Sequence, residues 1–325
     1  DRYSIDPTFY ASSQLPAGLS VDDISSNRTR RIYSQELYPV TDIAQGQSTV
    51  INTLDLTYYP KERGPYNFSP LANPSDNSLA NPQNNWGGIM RAINSTNFEQ
   101  SNVEYIQFWM MDPYYGSDVQ GITTNEGKLT FNIGEISEDI LKDGRKFYEN
   151  GLGPNQVLVQ PQGPWGNVPA SQSLIYAFDT NEGNREAQDV GLDGLNDAEE
   201  AAKFPAFASN PDPAADNYQY FLNAQGNIIQ RYRNYNGVQG NSPIAVSDTN
   251  RGSTTLPDVE DINRDNTMNT INAYWKFEVP VKYYPGEVPV GQDYIADVRV
   301  NNNVDLANGG TCLLYTSPSP RDLST

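Results

Sequence analysis

Apolar and polar residues alternate with a period of two in several short stretches of the chain, separated by runs of Asn, Asp, Gly and Pro. The sharpest is 102–111 (NVEYIQFWMM). Val103, Tyr105, Gln107 and Trp109 point one way, and Glu104, Ile106, Phe108 and Met110 the other. Both faces are largely apolar, which predicts a strand covered on both sides, as in a sandwich. Strands are also predicted over 49–59, ending at Pro60, and over 128–133, where Gly134 breaks the run. Residues 173–179, 272–284 and 294–300 supply three more, and 218–235 predicts a hairpin turning at Gln225, Gly226 and Asn227. Helical signals are short. Ser137 is a suitable N-cap for 137–144, with Glu138 and Asp139 behind it and Gly144 as the stop, and 197–204 (DAEEAAKF) is the other candidate. Nothing approaches the ~20 apolar residues of a membrane helix, whereas the alternation of a transmembrane strand is too weak a signal to settle either way.

These signals recur without a fixed repeat, which argues against a propeller or solenoid. They predict a mainly β chain, an antiparallel, jelly-roll-like β-sandwich with a few short helices and long loops. The expected layout is an irregular leading segment over 1–48, holding a basic cluster at Arg28, Arg30 and Arg31, then a sandwich domain over 49–310. An acidic, loop-rich insertion occupies about 180–217 of that domain. The last residues, 311–325 (TCLLYTSPSPRDLST), share no pattern with what precedes them and read as translated sequencing adapter. With Asp1 in place of an initiator Met, the chain is expected to be an internal fragment.

Composition supports the β reading. Tyr (21) outnumbers Phe (11), 37% of residues are hydrophobic, and 23 Pro with 25 Gly leave little room for long helices. Acids outnumber bases 40 to 21, and a net charge of −19 would repel a phosphate backbone, so no nucleic-acid partner is expected. There is no His, which removes the Ser-His-Asp triad and the imidazole ligand of most zinc sites. The single Cys312 excludes an internal disulfide and a thiolate metal cluster. With 40 acids some carboxyl pair always lies within glycosidase spacing, and none sits in a recognisable motif, so no catalytic residue is assigned and the chain is expected not to be an enzyme.

One local pattern carries chemistry. Counted as a calcium loop of about twelve residues, 189–200 places Asp189, Asp193 and Asp197 at the first, fifth and ninth positions and Glu200 at the twelfth. Gly194 falls where such a loop turns sharply, and Leu195 offers its carbonyl at the seventh position. Gly191 at the third position forfeits a ligand. Two readings stand side by side, a Ca2+ site and an acidic turn capping the helix at Asp197. A poorer pattern at Asp261, Asn263 and Asp265 lacks both the Gly and the final Glu, and reads as a polar turn. Trp86, Trp165, Tyr114 and Tyr115 are candidate surface aromatics, with Trp165 held between Gly and Pro residues.

Longer phrases point to a family. ERGPYNF (62–68), NWGGIMR (85–91), NVEYIQFWMMDP (102–113) and GKLTFNIGEISEDILKDGRKFYENGL (127–152) occur in that order. QDVGLDGLNDAEE (188–200), RYRNYNGVQGNSP (231–243) and LPDVEDINRDNTMN (256–269) follow. Together they resemble the SprA/Sov family, the outer-membrane translocons of the type IX secretion system, over roughly residues 30–300. The resemblance implies a segment of a much larger single-chain outer-membrane barrel of about 36 strands. It implies protein export to the cell surface and a link to gliding motility. The location implied is the cell envelope, at the outer membrane, either on the cell surface or on its periplasmic side. The implied partners are the rest of the translocon chain, a PorV-like shuttle, a periplasmic plug protein and the exported proteins. The alternative is a carbohydrate-binding β-sandwich module of a secreted protein, which would present coplanar aromatics on a concave face.

Overall fold

A computed structural model describes residues 2–11, 15–40, 42–64, 69–93, 100–102, 105–114, 126–140, 144, 146, 157–159, 167–170, 193–217, 219–235, 259–282, 291, 295–301 and 312–316. The expected strand over 173–179, Trp165, Tyr115 and the insertion before residue 193 lie outside them. The described residues are mostly non-helical, with small antiparallel sheets and a few short helices. In chain order the strands are β1 (Arg2–Tyr3), β2 (Ile32–Tyr33), β3 (Val50–Ile51), β4 (Asp55–Leu56), β5 (Trp109–Met111) and β6 (Glu126–Glu135). Then come β7 (Leu158–Val159), β8 (Val168–Pro169), β9 (Ala273–Lys282), β10 (Asp297–Asn301) and β11 (Cys312–Thr316). No described helix is long and apolar enough to cross a membrane. The chain divides into two compact units.

The first unit comprises Asp1–Tyr3, Asp55–Ala92 and Ile136–Asn272. Its centre is aromatic. Tyr232 stacks on Tyr3 at 4.4 Å and on Phe221 at 4.8 Å, and Tyr235 meets Phe221 and Tyr232 edge-on. Tyr3 reaches this stack because β1 pairs with β4, Tyr3 opposite Asp55. The predicted hairpin over 218–235 is replaced by a short helix, Ile228–Arg231. Asn227 accepts from the Gln230 amide while the Gln230 side chain accepts from the Asn227 amide, a reciprocal cap that converts the expected turn into a helix start. The helical spacing then buries Ile228, Arg231 and Tyr232 together. Buried Arg231 donates to the carbonyls of Gly226, Phe221 and Leu222, holding the preceding loop.

The predicted helix from Ser137 does not start there either, since 137–140 are irregular. Glu138 turns inward instead, and its carboxylate accepts from the amides of Ile262, Asn263 and Asn269. Three tertiary amides outweigh the weak preference of one acidic residue for a helix start.

The second unit comprises Ser4–Leu54, Ile93–Glu135 and Ala273–Thr325. Its longest feature is the ribbon of β6 and β9, paired antiparallel over their full lengths, with Phe131 opposite Phe277. The alternation gives the ribbon two unlike faces. Leu129, Phe131 and Ile133 share one with Val279, Phe277 and Trp275, and the Phe131–Phe277 rings stack at 4.9 Å with Phe108 tilted against them. Lys128, Glu278 and Lys276 form ion pairs on the other. Gly134 bends β6 without ending it. Its φ is +141°, and a Cβ there would lie 2.5 Å from the Ala273 carbonyl oxygen, so glycine alone fits.

Two other predicted strands are shorter in the structure. The run 49–59 is split, because β3 pairs with β2 in this unit whereas β4 pairs with β1 in the other. Among the described residues of 102–111 only β5 joins a ladder, and Tyr105 and Ile106 are exposed. Trp109 and Met111 pack with Ile32, Leu37 and Ile51. β11, within the segment 311–325, lies between β10 and β5.

Replacing Tyr232 with Ala removes the middle ring of the Tyr3–Tyr232–Phe221 stack from a fully buried site. By analogy with other buried aromatic truncations, urea unfolding should show a loss of about 3–5 kcal/mol.

Candidate functional site

In the first unit the helix Asp197–Lys203 starts as the sequence predicts, although its cap lies one residue earlier, at Asn196. The Asn196 side chain accepts from the amides of Ala198 and Glu199, and the Glu199 carboxylate accepts from the Asn196 amide. The register set by this box leaves Asp197 and Glu199 exposed and turns Glu200 inward, at 1% exposure. Just before the helix, Asp193 folds over its own backbone, its Oδ1 accepting from the Leu195 amide at 2.9 Å. Gly194 makes that turn with φ +73°, and a Cβ would sit 1.9 Å from the Asn167 carbonyl oxygen. The glycine is needed both for conformation and for space.

Beyond the helix the chain bends back over 211–217. Asp212 holds the bend by accepting from the amides of Asp216 and Asn217, and Glu200 reaches across to accept from the Ala214 amide at 2.8 Å. The Asn217 side chain donates to Asp197 Oδ1. These contacts bring Asp193, Glu200 and Asp216, all buried, to positions where one carboxylate oxygen from each lies within 4.8 Å of the others. Asp197, Glu200 and Asp212 form a second such group, joined to the first through Glu200. Buried Arg63 borders the cluster, stacking on the Phe207 ring at 4.2 Å and donating to the Pro213 carbonyl.

Burial dominates the electrostatics. It pushes Asp193 up to about 7, with Glu199 and Asp212 adding to the rise while the Leu195 amide and Lys203 oppose it. Glu200 lies higher still, raised by burial first and by Asp193 second. Asp212 is raised for the same first reason. Desolvation lowers Arg63, against the pull of Asp212, Glu200 and Asp216.

Of the predicted calcium-loop residues, Glu200 therefore meets Asp193 in one group and Asp197 in the other. Leu195 is buried as an apolar side chain, with its amide given to Asp193, and Asp189 lies outside the described residues. Sequence reasoning missed Asp212, Asp216 and Arg63. The spacing of two acids either side of Pro213-Ala214-Ala215, downstream of the helix, was the available signal. The second acidic pattern is a turn. Asp261 accepts from the amides of Asp265 and Asn266 and pairs with Lys146 at 3.3 Å, while Asn263 and Asp265 bond to each other. Among the candidate aromatics, Trp86 is 85% exposed and Tyr114 is half-buried.

The family described as motility related/secretion protein, SprA_N, has a model that matches residues 195–312. The match supports membership of the SprA/Sov family. The matched span begins at Leu195 and holds the helix Asp197–Lys203, the bend that carries Asp212 and Asp216, β9 and β10. The SprA/Sov match points to a motility- or secretion-related protein, and the family is not a known enzyme family. No curated protein matches the chain.

The raised carboxyls set a sign for pH dependence. In the folded chain they bind protons more tightly than in the unfolded chain, where carboxyls titrate near ~4. Their contribution is fully present below that value and is lost as pH rises through about 7 and beyond. The fall that Asp193 and Glu200 set therefore lies between about pH 4 and pH 8. Thermal melts in a chelator should fall across that interval, and Asp193→Asn should flatten the fall. A melt that rises over the same interval would contradict this assignment.

Proposed function

We propose that the chain is a non-enzymatic segment of the outer-membrane translocon of the type IX secretion system, supporting protein export to the cell surface and gliding motility. The observation that carries this reading is the match of 195–312 to a motility and secretion family. The order of phrases from Glu62 to Asn269 that resemble the same family agrees with it. The segment works in the cell envelope at the outer membrane, facing the cell surface or the periplasm. It acts through shape and interfaces with the rest of the translocon chain, a PorV-like shuttle, a plug protein and the exported proteins. Its small antiparallel sheets are pieces of a jelly-roll-like sandwich attached to a barrel.

The ribbon of β6 and β9 supports the structural role. Each strand is ten residues long, close to the ~9–11 residues of a tilted membrane-spanning strand, with one apolar face and one charged face. Among the described residues neither strand has a second neighbour in a ladder, and a two-stranded ribbon is marginal in water. Further strands of the translocon therefore extend this ribbon, covering edges that would otherwise invite aggregation. Trp275, 85% exposed at one end of the apolar face, marks surface for that purpose. The family match does not favour the carbohydrate-binding alternative.

The test is made in the full-length translocon. Phe131→Asp combined with Phe277→Asp places two charges in the stacked pair. Export of type IX cargo into the medium, and gliding, should both be lost while the periplasm retains cargo. Normal export from a stably expressed double variant would rule the ribbon out as part of the working channel. Selective binding of the isolated chain to a glycan array would favour the sugar-binding reading.

A further inference from the structure

We propose that Asp193, Glu200 and Asp216 form the centre of a divalent-cation site, that Asp212 and Asp197 complete its acidic shell, and that the ion is calcium. This goes beyond the export role and does not depend on it.

Geometry comes first. Calcium binds oxygen at 2.3–2.6 Å, so two oxygens on one ion can be no more than about 5 Å apart. One oxygen each from Asp193, Glu200 and Asp216 meets that limit, all lying within 4.8 Å of one another. The three carboxylates come from three places in the chain: a turn, the inward face of a helix and a bend that folds back on it. The site is therefore not the contiguous loop 189–200 that the sequence pattern suggests. Only the second half of that loop contributes, and the rest of the shell comes from 212–216.

An unmet acceptor is the independent sign of a ligand. Asp193 is 4% exposed; its Oδ1 is taken by the Leu195 amide, but buried Oδ2 has no hydrogen-bond partner among the described residues. A buried carboxylate oxygen left without a partner costs free energy comparable to a lost charged hydrogen bond. An ion between Asp193 and Glu200 satisfies that oxygen and cancels the repulsion among the three carboxylates at once. Among the described residues, Arg63 and Lys203 bring two positive charges to a cluster of five carboxyl groups.

The donor set selects the metal. Every ligand is a carboxylate oxygen, and no His or thiolate is present in the cluster, which favours a hard cation over zinc or copper. Magnesium demands near-ideal octahedral geometry at ~2.0–2.1 Å and keeps its water. Three buried carboxylates drawn from separate segments of the chain suit the larger and more tolerant calcium ion. Once bound, it would tie the start of the helix Asp197–Lys203 to the bend at 212–216, adding an ionic link to the Glu200–Ala214 bond.

Calorimetric titration of the intact chain with calcium chloride, after chelator treatment, is the test, run beside thermal melts. One ion per chain should bind, the melting temperature should rise, and magnesium at equal concentration should do much less. Asp193→Asn keeps the acceptor for the Leu195 amide while removing the charge. It should weaken calcium binding at least tenfold, yet leave the metal-free chain as stable as the wild type or more so, because repulsion is relieved. Glu200→Gln should weaken binding likewise, while Asp265→Asn, in the other acidic turn, should bind as the wild type does. No heat and no melting shift with the wild-type chain would overturn the site. So would unchanged binding by both Asp193→Asn and Glu200→Gln, or equal loss in Asp265→Asn, which would mean that calcium acts elsewhere.

Discussion

Backbone buried outside a ladder or helix must still find hydrogen-bond partners, and in this chain inward-turned carboxylates supply them. Glu138 accepts from three amides at 262, 263 and 269, and Glu260 accepts from Ile140. Asp261 closes its own turn, Glu200 holds Ala214, and Asp212 holds the amides at 216 and 217. With described helices of three to seven residues and most described strands of two or three, few ordinary partners are on offer. The buried polar residues accordingly include Asp112, Glu138, Asp193, Glu200, Asp216, Glu260 and Asp261. A core of this kind is directional. It specifies which loop lies against which, where a purely apolar core would only demand that the loops collapse.

Such a core must also dispose of its charge, and the chain does so in different ways. Arg30 forks onto Glu36 through two hydrogen bonds with both side chains nearly buried, and Lys146 pairs with Asp261. Glu138 spreads its charge over several amides. Around Glu200 neither device is sufficient, because Asp193 and Asp216 crowd the same space and Arg63 also serves Pro213 and Phe207. Burial holds the Asp193 and Glu200 carboxyls well above the ordinary carboxylate range, and their mutual repulsion pushes the same way.

What was legible in the sequence follows from the same physics. The strands at 128–133 and 272–284 were readable because alternating residues carry their own pattern, though not their pairing or the passage of β6 through Gly134. The helix Asp197–Lys203 was readable because Asn196 and Glu199 cap it locally. The Asn227–Gln230 box was equally local and was overlooked, since Gly226 between Gln225 and Asn227 looks like a hairpin turn. The irregular path at Ser137 could not be read, because Glu138 takes its partners from 262–269. The candidate site divides in the same manner. Asp193, Asp197 and Glu200 lie within one short motif, whereas Asp212 and Asp216 join them only because the bend at 211–217 returns to the helix. Spacing along the chain carries no record of that return.

The two kinds of core differ in how they fail. The stack of Tyr3, Tyr232 and Phe221 is held by area and dispersion, so trimming a ring leaves a void whose effect scales with the volume lost. A carboxylate such as Glu138 is held by geometry. Removing it leaves the amides of Ile262, Asn263 and Asn269 searching for acceptors, each with its own desolvation penalty. In the acidic cluster the balance reverses, because a carboxylate removed there also removes repulsion. Glu200 stands at the crossing of these rules: it satisfies Ala214 and at the same time crowds Asp193 and Asp216. A neutral amide at position 200 would keep an acceptor for Ala214 and lose the crowding. That the chain carries a carboxylate there is better explained by a positive charge to be met than by the turn it helps to hold.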